Sequence, residues 1–184
     1  MFIQTEATPN PATLKFLPGR EVSTGQPLEF ASQQDAARSQ LASALFAVPG
    51  VSRVMFGSDF ISVTQEGGEW QHVKPAVLGA IMEHFMAGWP LVSSDQAGPD
   101  TDEFFDPEHS DLVETIKELL DSRIRPAVAG DGGDITFRGF REGTVFLSMK
   151  GACSGCPSST ATLKHGIENL LRHYVPEVEA VEQI

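Results

Sequence analysis

The hydrophobic pattern of the first half of the chain combines short runs of β-forming residues with stretches that repeat at helical spacing. The pattern predicts strands at residues 2–5, 13–16, 51–56 and 60–64, and helices at residues 35–47 and from Pro75 onward. Pro9-Asn10-Pro11 separates the first two strands, and Gly57-Ser58-Asp59 separates the last two. Both separators favour turns, so each pair of strands is predicted to form a hairpin.

The second half of the chain shows a different order of elements. Asp111 and Glu114 are spaced as a capping box, which predicts a helix that Pro126 limits. Strands are predicted at residues 135–140 and 144–149, followed by a helix from Pro157 to the residues before Pro176 and a short strand near residues 178–181. Both halves therefore indicate an α+β fold, with two small α/β-sandwich-like domains.

The stretch between these halves is acidic and lacks apolar periodicity. Residues 89–107 contain five acidic and no basic side chains, and Pro, Ser, Gly and Asp dominate the sequence. Such a composition is typical of a flexible, self-repelling linker. We therefore predict domains at residues 1–88 and 108–184, joined by the linker at 89–107. The alternative is an ordered acidic loop in which Phe104 and Phe105 dock against a domain.

Charge and composition narrow the classes of partner. The formal net charge is −12 and the pI is near 4.7, which opposes binding to nucleic acid or to an anionic membrane surface. The first residues lack a basic region followed by an apolar core, so nothing directs export. A cytoplasmic location is expected, and a mitochondrial matrix location would require that a transit peptide had been removed before Met1.

Cys153 and Cys156 are the two cysteines of the chain, and they are the candidate site residues. They lie in Gly151-Ala152-Cys153-Ser154-Gly155-Cys156-Pro157, between a predicted strand and a predicted helix. Pro157 suits the first helical position, so both sulfurs precede the helix and lie near its positive end. That location is expected to stabilise thiolates, and Ser154 and Ser158 are expected to donate hydrogen bonds to sulfur.

Several chemistries remain open for this pair. Two thiols can form a redox disulfide, as in a thiol-disulfide oxidoreductase, or they can supply half of a four-coordinate metal site. A structural zinc site would need two further ligands, and His165 and His173 are placed along the helix away from the loop. An iron–sulfur cluster shared between two chains would obtain four cysteine ligands. The sequence does not bring a nucleophile, a base and a stabilising group together. An enzyme other than a thiol-disulfide oxidoreductase is therefore not expected.

Two motifs carry a resemblance to a known family. Asp131-Gly132-Gly133-Asp134-Ile135 followed by the cysteine loop resembles the C-terminal domain of NifU and of the Nfu iron–sulfur carriers. The opening residues, TEATPNPATLKF from Thr5 to Phe16, resemble the N-terminal domain of the Nfu branch. Asp131 and Asp134 are interpreted as part of a helix stop and strand start, and not as metal ligands.

The resemblance implies a carrier that is not an enzyme. It implies that Cys153 and Cys156 of two subunits bind a [4Fe-4S] cluster across a homodimer, with a [2Fe-2S] form as a further possibility. The implied partners are an upstream scaffold that donates the cluster and apo iron–sulfur client proteins that receive it. Because the first domain has no cysteine, we expect it to recognise client or donor proteins while the linker tethers it.

Overall fold

A computed structural model describes residues 1–24, 26–92, 103–154 and 157–184, and for residues 157–159 it describes the backbone only. The chain divides into two compact units, Met1–Gly98 and Pro99–Ile184, each of which combines helices with its own β-sheet. This confirms the α+β class. The boundaries 1–88, 89–107 and 108–184 stay a prediction.

Unit 1 contains five strands and three helices in the order β1 Gln4–Ala7, β2 Thr13–Leu17, β3 Leu28–Phe30, α1 Gln33–Ala36, α2 Gln40–Phe46, β4 Val51–Phe56, β5 Ile61–Gln65 and α3 Trp70–Ala87. All strand pairs are antiparallel, and their order across the sheet is β1-β2-β5-β4-β3. Both predicted hairpins are confirmed. Alternate residues of the central strands, such as Phe16, Val54 and Val63, pack with Val77 and Ile81 of α3 in one core.

Two helices of unit 1 differ from the sequence prediction. The helix predicted at 35–47 is two helices, because Ser32 and Ser39 each accept a backbone N–H bond and so begin separate turns. The last helix begins at Trp70, and Pro75 lies inside it and not at its start. Pro75 is exposed, so its missing N–H interrupts the helix bonds on the solvent side.

Unit 2 runs β6 Phe104–Phe105, a 3₁₀ turn Pro107–His109, α4 Ser110–Leu119, a π-helical turn Leu120–Ile124, α5 Arg125–Gly130, β7 Gly133–Arg141, β8 Thr144–Gly151, α6 Pro157–Tyr174 and β9 Ala180–Gln183. The sheet order is β6-β7-β8-β9. The central strands β7 and β8 are antiparallel. Strand β6 pairs in parallel with β7, and β9 pairs in parallel with β8. Ile135, Leu147 and Val181 pack with Ile116 and Leu171 of the helices in one core.

The β7–β8 hairpin fixes where the cysteine loop begins. Arg141 pairs with Thr144, so Glu142 and Gly143 alone form the turn. Both have positive φ, 50° and 78°, as a type I′ turn requires. In this register Gly133 lies opposite Gly151, which places the start of β7 beside the residues that follow β8.

Two predictions for unit 2 are wrong in detail. Pro126 does not end its helix, because the π-helical turn Leu120–Ile124 leads into α5 and Pro126 lies in the first turn of α5. The predicted capping box of Asp111 is absent, because α4 begins after His109 without a side-chain cap. Asp106 caps the preceding 3₁₀ turn, where its side chain accepts the Glu108 N–H at 3.1 Å. Phe104–Phe105, at the end of the predicted linker, form strand β6 and so dock against unit 2, as the alternative proposed for these two residues. Residues 93–102 of that linker lie outside the described residues.

Candidate functional site

The cysteine loop joins the end of β8 to the start of α6. Cys153 is described and lies two residues after Gly151, the last residue of β8. Cys156 lies outside the described residues, so its prediction as a ligand stays a prediction. The start of α6 at Pro157 agrees with the predicted position of the helix after the loop.

Backbone hydrogen bonds hold the first half of this loop. Gly151 has a φ of 65°, a left-handed conformation that favours glycine. The Ala152 N–H donates to the Gly132 carbonyl at 3.2 Å, and Thr160 of α6 donates through its hydroxyl to the Cys153 carbonyl at 3.0 Å. Ser154 donates through Oγ to the Gly151 carbonyl at 2.9 Å. This bond ties Ser154 to the turn that ends β8. The expected bonds of Ser154 and Ser158 to sulfur stay predictions, since Cys156 and the Ser158 side chain lie outside the described residues.

Gly133 provides the space for the Cys153 side chain. A Cβ atom at residue 133 would lie 2.4 Å from Cys153 Sγ, 2.9 Å from the Lys150 carbonyl oxygen and 3.0 Å from the Cys153 nitrogen. Two of these three atoms belong to the backbone, so no side chain rotation can relieve the overlap. Gly133 is thus a contact residue of Cys153, which the sequence reasoning missed.

The neighbouring residues of the Asp131–Asp134 segment have separate structural roles. Asp131 ends α5, and Gly132 follows with a φ of 79° and donates its N–H to the Ala129 carbonyl at 3.0 Å. This agrees with the interpretation of the segment as a helix stop. Gly132 alone is enough to end the helix. The second glycine, Gly133, was therefore the signal in the sequence that another part of the chain lies close to the backbone at this position.

Asp134 anchors the start of β7 to the helices. It is 3% exposed and accepts two bonds from Arg125, from Nε at 3.0 Å and from a terminal nitrogen at 3.2 Å. Arg125 also donates to Asp121 at 3.0 Å, and the two carboxylates raise the pKa of the guanidinium against the opposing effect of burial. A bidentate Arg–carboxylate pair fixes geometry as well as charge. The strand that carries Gly133 is therefore held firmly next to Cys153.

Cys153 is buried, and this changes its acid–base chemistry. Its exposed fraction is 7%. Burial raises the pKa of the thiol to about 12, and the carboxylates of Asp131 and Asp134 add to the shift. The thiol is therefore neutral at physiological pH. This is opposite to the expected thiolate stabilisation, because loss of solvent and two nearby negative charges outweigh the helix end.

The five histidines do not assemble into a site with Cys153. His84 is buried in unit 1 and His109 packs against Phe140 in unit 2, whereas His72, His165 and His173 are exposed. Across residues 1–24, 26–92, 103–154 and 157–184, no three His, Cys, Asp or Glu side chains lie close enough to hold a metal ion. In that same part of the chain, no helix is both long and apolar enough to cross a membrane.

Two family models match the chain in succession. The model of the scaffold protein Nfu/NifU N-terminal domain matches residues 3–88, and the model of the NifU-like domain matches residues 116–182. The first match covers unit 1 through α3, and the second runs from α4 to β9 and includes the cysteine loop.

Two similar proteins are named as iron–sulfur cluster scaffolds. The chain is 50% identical over 186 residues to "NFU1 iron-sulfur cluster scaffold homolog, mitochondrial" of Drosophila sechellia, with all of this chain and 65% of that protein covered. The Homo sapiens protein of the same name is 48% identical, with all of this chain and 72% of that protein covered. The chain thus spans just under two thirds of the length of the Drosophila relative.

Solved structures match single parts of the chain. The solution structure of a NifU-like protein from Saccharomyces cerevisiae is 24% identical, with a TM-score of 0.47 and with 52% of this chain and 87% of that one covered. The crystal structure of protein SAV1430 from Staphylococcus aureus is 25% identical, with a TM-score of 0.40 and with 44% of this chain and 99% of that one covered.

Proposed function

Because the chain belongs to the Nfu family of iron–sulfur cluster scaffold proteins, we propose that it receives an iron–sulfur cluster and delivers it to apo-proteins. The cluster is its cargo and not a catalytic cofactor. The observation that carries this proposal is the position of Cys153, on a backbone-bonded loop ahead of α6 and directly above Gly133. A loop fixed in this way presents a cysteine at a defined place on the domain.

The ligands in this proposal are Cys153 and Cys156 of two copies of the chain. Iron–sulfur clusters prefer four cysteine thiolates, and a [4Fe-4S] cluster would obtain two from each subunit. A [2Fe-2S] form needs the same number of thiolates, so it is the second form to test. A cluster held by only two ligands per chain can leave by ligand exchange, which suits a carrier.

The competing function is thiol–disulfide exchange through the same two cysteines. Attack on a disulfide requires a thiolate. Iron also binds the thiolate, so the raised pKa of Cys153, about 12, does not separate exchange from cluster binding. The family relationship favours the carrier, and we propose a protein without catalytic activity. A disulfide-reduction assay on the apo-protein tests this alternative directly.

Unit 1 is the proposed recognition module. It has a complete hydrophobic core of its own and contains no cysteine, so it does not contribute thiolates to the cluster. We propose that it binds the client or the donor protein, and that residues 89–107 tether it to unit 2. The proposed compartment is the cytoplasm, and the alternative is the mitochondrial matrix, which the relatives' names include. Fractionation of the source cells decides between them.

Anaerobic reconstitution of the purified chain with iron, sulfide and thiol tests the function. We expect about four iron atoms and four sulfides per pair of chains, and a shift from monomer to dimer on size exclusion. Cys153→Ser and Cys156→Ser should each lose the cluster and stay monomeric. Mössbauer spectra of the loaded protein distinguish the two cluster types.

Transfer completes the test, since binding alone does not make a carrier. The loaded protein should restore the activity of an apo-enzyme that needs a [4Fe-4S] cluster, and the two serine variants should not. An apo-protein that binds no iron but reduces disulfides briskly would overturn the proposal in favour of the oxidoreductase.

A further inference from the structure

A cavity of about 530 Å³ lies in unit 2, where β6, the 3₁₀ turn and the β7–β8 turn meet. This volume falls in the range of roughly 300–1,000 Å³ that is typical of ligand pockets. Gly133 contacts Cys153, and Phe140 of the cavity lies seven residues farther along β7, which is roughly 20 Å away. The cavity is therefore separate from the cysteine loop.

Aromatic rings form the walls of this cavity. Phe140 is 4% exposed, and the His109 ring packs edge-on against it with centroids 5.3 Å apart. Phe105 is 36% exposed, so about a third of this residue is accessible to a ligand. Flat aromatic faces with this exposure attract planar cations, because the ring quadrupole favours positive charge above the face.

Carboxylates surround these rings. Glu103, Asp106 and Glu142 line the cavity, together with the single guanidinium of Arg141. Glu103 pairs with Lys117. Asp106 and Glu142, in contrast, have no cationic partner within the described part of unit 2. The cavity thus combines an aromatic wall with two carboxylates that are in no ion pair within that part of the chain, beside one guanidinium.

Arg141 shows how such a surface binds a guanidinium. Its guanidinium carbon lies over the Phe104 ring, 5.5 Å from the centroid. Phe104 in turn covers Gly139, where a Cβ would lie 2.4 Å from the ring. The Phe104 ring is therefore already covered by Arg141 and Gly139 of the same chain. The ring left for a ligand is that of Phe105, which lies on the other side of β6 and packs towards Phe137.

The position of β6 favours a peptide as the source of the cation. Among the described residues, β6 is the outermost strand of its sheet, and it pairs with β7 only through Phe104 and Phe105. An outermost strand can pair with an extended segment of another protein, while pockets beside it select alternate side chains. A segment added beside β6 would pass directly over the cavity.

We propose that this cavity binds an arginine side chain on an extended segment of a partner protein. The guanidinium stacks on the open face of Phe105 and pairs with Glu142 and Asp106, and the peptide backbone runs beside β6. Arginine suits the site better than lysine because its planar, weakly hydrated head stacks on rings and pairs with carboxylates at once. The proposal goes beyond cluster binding and does not depend on it.

Fluorescence anisotropy on the 184-residue apo-protein tests the proposal. The probe is a fluorescein-labelled peptide of sequence GSVRVRVSG, and the matched probe carries citrulline, which is neutral but similar in shape, in place of both arginines. We expect the arginine peptide to bind about tenfold more tightly than the citrulline peptide, since the latter loses the charge that the carboxylates and rings attract. Equal affinity of the two peptides would overturn the proposal.

Variants locate the binding site on the surface. Glu142→Gln should weaken binding about fivefold, which is typical of losing one partly exposed charge pair. Phe105→Ala should weaken it at least as much, with thermal unfolding used to show that unit 2 remains folded. Glu83→Gln, an exposed acid of α3 in unit 1, removes the same charge elsewhere and should leave binding unchanged. If Glu83→Gln weakens binding as much as Glu142→Gln, the attraction is only that of the net negative chain and the proposal fails.

Discussion

Replacing Gly133 with alanine should displace Cys153 and weaken cluster binding. The new Cβ would lie 2.4 Å from Cys153 Sγ, whereas ordinary contacts begin near 3.4 Å. The sulfur must therefore move by about 1 Å, the difference between these two distances. The contacts at 2.9 Å and 3.0 Å involve backbone atoms of Lys150 and Cys153, so the loop has to shift with the side chain.

The expected magnitude follows from this overlap. Inserting a methyl group into a packed site costs roughly 1–3 kcal/mol of folding free energy. A binding site also tolerates only about 0.5 Å of error in the position of its groups. A displacement of about 1 Å should therefore reduce cluster retention by more than the loss of stability explains.

The assay compares three variants after anaerobic reconstitution. Gly133→Ala should bind less iron and lose it faster to a chelator than the unmodified chain. Gly130→Ala, two residues before the Gly132 turn, should bind the normal amount, because no atom lies within 4 Å of its added Cβ. Ile135→Val removes a methyl group from the core of the same strand and should cost about 0.5–1.5 kcal/mol without moving Cys153.

The comparison separates position from stability. If Ile135→Val loses as much iron as Gly133→Ala at equal stability, the effect is one of folding, and the role assigned to Gly133 is wrong. Normal iron content in a folded Gly133→Ala protein would refute it as well, since it would show that the loop accepts the methyl group at no cost to the site.

Three further predictions concern stability. Asp134→Ala leaves the half-buried Arg125 without its bidentate partner and should cost about 3 kcal/mol in urea unfolding, whereas Asp121→Ala, at an exposed pair, should cost less than about 1 kcal/mol. The pKa of Cys153 is near 9.0 in the unfolded chain and about 12 when folded, so between these values the unfolded chain loses the proton first. The unfolding free energy should therefore fall as the pH rises from 9 towards 12, and Cys153→Ala should lack this part of the fall. Burial lowers the pKa of His84, so the unfolded state binds a proton on the imidazole more tightly than the folded state does. The stability of unit 1 should therefore fall as the pH drops below 6.5, and His84→Leu should remove this loss.

The imidazole of His84 is buried, which is unusual for a polar side chain. It is 2% exposed, and neither ring nitrogen has a hydrogen-bond partner in the described chain. Burial lowers the pKa of the imidazole, and the Trp89 backbone opposes part of this shift. The Phe85 and Trp89 rings pack edge-on against it at 5.6 Å and 6.1 Å.

Local signals were enough to predict the elements around the cysteine loop. Glu142-Gly143 and the alternation of Val145, Leu147 and Met149 located the β7–β8 hairpin, because turn chemistry and period-two patterning are properties of neighbouring residues. Pro157 located the start of α6 for the same reason.

Contacts between distant residues could not be predicted in this way. Strand β6 has two residues and pairs with Gly139 and Phe140, more than 30 positions later. No periodicity can arise in two residues, and the Phe104 ring finds its place only because Gly139 has no side chain. The contact between Gly133 and Cys153 could not be predicted for the same reason, since the two residues become neighbours only after β7 and β8 have paired.

The burial of Cys153 also bears on how a carrier releases its cargo. Iron binds the thiolate, so loading under the proposed function must remove the proton and bring the sulfur into contact with the cluster. Both steps cost free energy in a site that holds the neutral thiol, with a pKa near 12 and 7% exposure. That free energy is regained when the cluster leaves, because the sulfur is protonated and buried again. A site in which the sulfur was already exposed would not incur this cost, so the burial of Cys153 lowers the affinity for a cluster.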